Sequence, residues 1–330
     1  MKAFIRYVRD FIKKDFNFFV YAYTAVFLAV AIYFNYRYNF MTDKIGVHTG
    51  SWKGLGYGYL FFAVFYYGVA VPKLVIAREG WMLRSWSFYV RTSFLLLMLT
   101  IGIFSDTRKW VDAIVSVMSS FRETDIDAKE RYYLFYNASH FKFFVCWFSA
   151  NFMMYVVTTR YYRKPSYYGL TLKAFNLKLY SLMFMVMIPL LYYASLQDSF
   201  LATYPILKIE FIDNVFNLST LKLLLIFEII YALAFVGTEV LFRGAFVLGL
   251  LDIVDHHAVL PMTSLYCVIH FNKPMLEAIS AIFGGYLLGI LALATFNVIG
   301  GILIHIAIAW GMDFLSIFRK NIPLVSLNLG

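Results

Sequence analysis

Five ionisable residues fall inside apolar stretches between positions 220 and 315: Glu228, Glu239, Arg243, His270 and His305. A charge placed in a membrane helix costs at least about 2.5–3.5 kcal/mol on insertion scales, so each needs a structural partner or a chemical use. Within LIFEIIYALAFVGTEVLFRGAF, Glu239 and Arg243 stand four residues apart, one helical turn, where their side chains can meet as an ion pair. Such a pair is cheaper to bury than either charge alone. Gly237 and Gly244 leave room beside it for a second helix. His270 ends the segment LYCVIHFNKP, in which Asn272 and Pro274 break the helix, and His305 stands within the apolar run GGILIHIAIAW.

A carboxylate and imidazoles converging in a cavity can activate a water and stabilise an oxyanion. The plainer reading is structural, with Glu239 neutralising Arg243 and each histidine satisfied by a neighbouring hydroxyl or carbonyl. Metal binding is a third use for a Glu and two His. The chain has no HExxH, the three groups come from separate segments, and no second carboxylate or Cys completes a tetrahedral zinc site. No metal and no cofactor is therefore expected in this protein.

The elements that must carry these residues are membrane helices. Of 330 residues, 62% are hydrophobic and 15% charged, against about 45–50% and 25% in ordinary soluble domains. A soluble enzyme is excluded, and 7 Pro, 19 Gly and 2 Cys exclude disordered, collagenous and disulfide-built chains. Cys146 and Cys267 lie in apolar runs and read as buried free thiols. Apolar runs near 18–36, 55–77, 86–105, 141–159, 178–197, 220–250, 262–271, 275–293 and 296–315 predict an all-α, polytopic transmembrane bundle of about eight spans. The run at 262–271 is too short to cross alone. Charge inside these runs concentrates in the last third, the first five spans carrying almost none.

Residues 1–16 alternate Phe4, Ile5, Val8, Phe11, Ile12 and Phe16 with Lys2, Arg6, Arg9, Lys13 and Lys14 at helical spacing. This predicts a basic amphipathic helix on an anionic leaflet, a partner-binding helix being the alternative. The second connection (Lys73, Arg78, Arg84) and the fourth (Arg160, Arg163, Lys164, Lys173, Lys178) are the cleaner positive ones, which places the amino terminus in the cytoplasm. The third connection, about 106–140, is the longest and carries charges of both signs, among them Glu123. Its segment TRKWVDAIVSVMSSF predicts an interfacial helix with Trp110, Ile114, Val117, Met118 and Phe121 on one side. The net charge of +10 sits in short segments beside apolar runs, so nucleic acid is not an expected partner. Three regions result: the helix 1–16, helices over 17–215 with the charged loop, and the core 216–330 that carries the Glu, Arg and His motifs.

GTEVLFRGAF, LYCVIHF and FGGYLLGILALATFNVIGGILIHIAIAW, in that order, resemble the successive signatures of the CPBP family of intramembrane proteases, which includes the CAAX prenyl endopeptidase and relatives linked to bacteriocin immunity. The resemblance covers about 220–315. It implies a metal-free endopeptidase acting on a membrane-embedded or lipid-modified peptide, with a bacterial cytoplasmic membrane as its home. By that likeness Glu239 matches the second Glu of the family motif, Arg243 its Arg, His270 the middle His and His305 the last His. A Glu and the middle His would then activate water, and the last His would support the oxyanion.

Two positions depart from the pattern: Thr238 replaces the first Glu, and Ala309 replaces the Asn four residues after the last His. A Thr hydroxyl is no general base at neutral pH. Adjacent helical residues also point about 100° apart, so Glu239 cannot simply stand in. Either Glu239 turns inward through an irregularity near Gly237, or Asp313, two turns beyond His305, supplies the carboxylate. The other class of function is a catalytically impaired fold kept for binding, escort or membership of a membrane-protein complex, and Thr238 and Ala309 point that way.

Overall fold

The computed structural model describes residues 2–121, 125–159, 167–173 and 175–320. Arg160, Arg163, Lys164 and Glu123 lie outside them. The described residues are helical with no strand, and eight stretches are long and apolar enough to cross a membrane. The chain is an integral membrane protein.

Helix α1 (Lys2–Asp15) leads into α2 (Phe18–Tyr38), which starts where the Asn17 side chain accepts from the N–H groups of Phe19 and Val20. The left-handed Asn39 ends it. Ser51 caps α3 (Trp52–Ile76), which runs beside α4 (Trp86–Phe104). Asp106 caps α5 (Thr107–Ser119), whose Ile114, Val117 and Trp110 are exposed.

Helix α6 (Ala128–Thr159) begins well before the apolar run at 141. Asp127 and Glu130 cap it reciprocally: the Glu130 N–H donates to Asp127 at 2.7 Å and the Asp127 N–H to Glu130 at 3.0 Å. The connection expected over 106–140 is therefore mostly helical, because a cap can start a helix in polar sequence that hydropathy alone passes over. Helices α7 (Leu177–Ala194) and α8 (Asp198–Thr203) follow.

The last third opens with α9 (Thr220–Glu239), which passes into a wider π turn at Val240–Ala245. After the short α10 (Leu251–Val254) come α11 (Val259–Val268), α12 (Met275–Thr295) and α13 (Ile299–Arg319). Every residue of α11 is buried, between α3, α12 and the π turn. This short run is the axis of the bundle, as its ten residues need not reach lipid. Phe62, Leu95, Leu96, Phe242, Phe246 and Leu265 close the core around it.

Membrane helices gain little by hiding apolar surface from apolar lipid, so close contact through small residues matters more. Gly237 shows this: a Cβ there would lie 3.0 Å from the Phe144 Cα, so α6 and α9 touch backbone to backbone. The first spans also carry more buried charge than the sequence suggested. Lys73, counted above with the second connection, lies within α3 at 2% exposure, and Arg91 and Lys142 are buried in α4 and α6. Each finds polar partners: Lys73 donates to Asp15, Arg91 to Asp252, and Lys142 to the Ser105 carbonyl and the Thr107 hydroxyl. Partners distant in sequence make these charges bearable, which hydropathy along a single run cannot reveal.

Candidate active site

The π turn shapes the site. Its i→i+5 bonding, as in Phe246 N–H to Leu241 O at 2.9 Å, widens the helix directly after Glu239. The Asn151 side chain of α6 donates to the Val240 carbonyl at 2.6 Å and satisfies backbone there. The irregularity sought near Gly237 thus lies at 240–245.

Glu239 is fully buried, and its Oε1 accepts from Arg243 Nη1 at 2.8 Å and from His305 Nδ1 at 3.0 Å. Its Oε2 is buried with no hydrogen-bond partner. Oε2 points toward α13 at Gly301, where a Cβ would come within 2.5 Å of it. Only glycine leaves room for this carboxylate. Arg243, 1% exposed, lays its guanidinium 4.1 Å over the Tyr266 ring, with Nε and Nη2 making no hydrogen bond.

His305 is held on three sides. Since a carboxylate only accepts, Nδ1 carries the proton toward Glu239, and Nε2 meets the Tyr266 hydroxyl at 3.2 Å. The Phe235 ring covers it at 4.3 Å. His270 lies just past α11, in the turn that Pro274 closes before α12. Its Nδ1 donates to the Tyr266 carbonyl at 2.7 Å, which leaves the Nε2 lone pair free. Burial pushes its pKa down to about 4, so the ring is neutral at pH 7.

Glu239, Arg243 and His305 are thus in direct contact, and Tyr266 links them to His270, whose ring meets that of Tyr266 edge to face with centroids 4.8 Å apart. Thr238 and Asp313 stand apart from this cluster. The Thr238 hydroxyl donates back to the Ala234 carbonyl at 2.8 Å, within its own helix. The Asp313 carboxylate accepts from the Ile206 N–H at 3.2 Å and faces Glu228 across the α9–α13 contact. Ala309 is fully buried against an apolar cluster that includes Leu207 and Tyr231.

Tyr266 and Gly301 are the site residues that sequence reading passed over. Tyr266 precedes His270 by four residues in LYCVIHF, a spacing that puts both on one face, while nothing in the sequence marks Gly301 among its neighbours.

A polytopic helical membrane protein with a buried Glu–Arg–His–Tyr cluster built from three late helices is the class this fold and site define. Residues 220–311, which contain all of it, match the family model described as type II CAAX prenyl endopeptidase Rce1-like, consistent with membership of the CPBP family. No curated protein and no solved structure matches the chain.

Proposed function

We propose that the chain is an intramembrane endopeptidase in which Glu239 and His270 polarise a water against a peptide bond of a membrane-associated substrate. The observation that carries this reading is the asymmetry of the Glu239 carboxylate. Arg243 and His305 hold one oxygen and compensate its charge, while the other keeps its lone pairs. That free oxygen can accept a proton from water as the resulting hydroxide attacks the carbonyl carbon, and His270 Nε2 offers a second acceptor. With Ala309 in place of the Asn, and the Tyr266 hydroxyl donating to His305 Nε2, the donors left for the developing oxyanion are the unbonded Nε and Nη2 of Arg243.

The family description directs the first substrates toward lipid-modified carboxy-terminal peptides. The exposed Arg6, Arg9, Lys13 and Lys14 of α1 support contact with an anionic leaflet. The location we propose, a bacterial cytoplasmic membrane, rests on the likeness to bacterial members of the family.

A second reading has its own support. Thr238 turned onto its helix and Ala309 sealed in apolar packing favour a weakened fold that binds or escorts a membrane partner. Purified protein offered a library of membrane peptides, prenylated ones included, separates the two. Cleavage by wild type that is lost in Glu239→Gln and in His270→Ala, each folded, supports the peptidase. No cleavage by any of these, with turnover gained in Thr238→Glu, favours the binding reading.

A further inference from the structure

A second buried polar cluster lies where α1 meets the turn before α11, about 15 Å along α11 from Tyr266 by helical rise, and shares no residue with the Glu239 site. Asp15, the last residue of α1, has a side chain with no exposure. His256 Nε2 stands 3.7 Å from its Oδ1, and His257 Nδ1 3.9 Å from the same oxygen. The three ligand atoms lie within 4.8 Å of one another.

The chemistry of each atom points the same way. His256 Nδ1 is 3.0 Å from Asp255 Oδ2, and since a carboxylate only accepts, Nδ1 carries a proton, so a ring with one proton turns the Nε2 lone pair toward Asp15. A ligating histidine whose other nitrogen donates to a carboxylate is the usual second shell of a protein metal site. His257 Nδ1 is buried with no hydrogen-bond partner, its side chain only 9% exposed. Separations of 3.7 and 3.9 Å are too long for hydrogen bonds. They need little closure to reach the roughly 3.4 Å between ligands of a tetrahedral ion with bonds near 2.0–2.1 Å. Three ligand atoms thus converge on one point, where the Lys73 ammonium already donates to Oδ1 and His257 Nδ1 has no partner.

We infer that Asp15, His256 and His257 form a binding site for a zinc-like divalent cation, which ties the amino-terminal helix to the core of the bundle. The donor set, two imidazoles and one carboxylate with a fourth position left for water, suits zinc. Lys73 is the competitor to be weighed. Its ammonium donates to both Asp15 oxygens at 2.8 Å, while the Tyr21 hydroxyl donates to Oδ2 at 2.5 Å. Binding leaves Lys73 and Tyr21 on Oδ2 and gives Oδ1 to the ion.

The test uses the full chain, free of any histidine tag, stripped with chelator in detergent and then equilibrated with zinc chloride. Bound zinc is counted by mass spectrometry, and Tm is followed with and without zinc. The expected result is about one zinc per wild-type chain with a raised Tm, and neither in His257→Ala or His256→Ala. Asp255→Asn, which removes no ligand, should weaken binding about 10- to 100-fold, and Lys73→Met, which removes the competing cation, should tighten it. Zinc absent from wild type, or retained equally by His257→Ala and Asp255→Asn, overturns the inference. The first of these results would leave a proton on His256 as what holds Asp15. Should His256→Ala fail to fold, His257→Ala and Asp255→Asn still decide the matter, since His257 Nδ1 holds no bond to lose and Asn keeps the bulk of Asp255.

Discussion

The Glu239 cluster and the Asp15 cluster use nearly the same parts to opposite ends. Each has a carboxylate with no exposure, a basic side chain 2.8 Å from it, and imidazole close by. Around Glu239 the cation and the imidazole share one oxygen and leave the other free. At Asp15 the Lys73 ammonium spans both oxygens and Tyr21 adds a third hydrogen bond. A carboxylate with a free oxygen can take a proton during a reaction, whereas one bonded on both sides first fixes the helix that carries it. The lesson is that residue types define a menu and the placement of individual lone pairs selects from it.

The largest expected effect breaks the comparison on the Glu239 side. Glu239→Gln keeps the shape but removes the base, and kcat/KM on a cleaved peptide should fall about 10²- to 10⁴-fold. Asp15→Asn, by contrast, should leave kcat/KM within twofold in protein that remains folded.

Stability should fall at both sites, since Glu239→Gln also leaves Arg243 buried at 1% exposure without its counter-charge. Asp15→Asn leaves Lys73 buried at 2% exposure without its counter-charge, a loss of about 3–5 kcal/mol. Asp15→Leu combined with Lys73→Met should recover most of that loss, read as the Tm of the double variant against the single ones.

Gly301→Ala sharpens the Glu239 side alone. The added methyl would come within 2.5 Å of Oε2, so overpacking should cost about 1–3 kcal/mol and displace the oxygen proposed to accept the proton. Thermal unfolding and kcat/KM should drop together. Tyr266→Phe removes a single hydroxyl from His305 Nε2, about 0.5–1.5 kcal/mol of stability, and a rate loss larger than that figure would place the hydroxyl in the chemistry.

The smallest effect is a near-absence. Because burial lowers the His270 pKa to about 4, the ring stays neutral in the folded chain until pH falls through that value. A kcat/KM profile should therefore lose only about one tenth at pH 5 from this group, where a histidine of ordinary pKa near 6.5 would cost about thirtyfold. The sign for stability follows. The unfolded chain takes up the proton near pH 6.5 and the folded chain does not, so stability contributed by neutral His270 is lost as pH falls from about 6.5 to 4.

The two clusters were unequally visible before the fold was known. Glu239 and Arg243 are one turn apart, so their ion pair could be read directly from spacing. Asp15 and Lys73 are 58 residues apart, and Lys14 and Asp255 are 241 apart. No local pattern announces such pairs, so the sequence places Lys73 in a connection whereas the fold sets it inside α3.

The sequence by itself determined the all-helical membrane architecture, the positions of most spans, and the order of the Glu, Arg and His motifs. All of these rest on short-range periodicity and hydropathy, which each segment carries alone. Only the tertiary structure decided that a π turn after Glu239 lets one carboxylate oxygen take both Arg243 and His305, and that Gly301 makes room for the other. It also decided that Tyr266 joins the site while Asp313 faces Glu228. These outcomes depend on the contact of side chains from separate helices, and a helix written as sequence does not say which of its faces another will meet, or at what height.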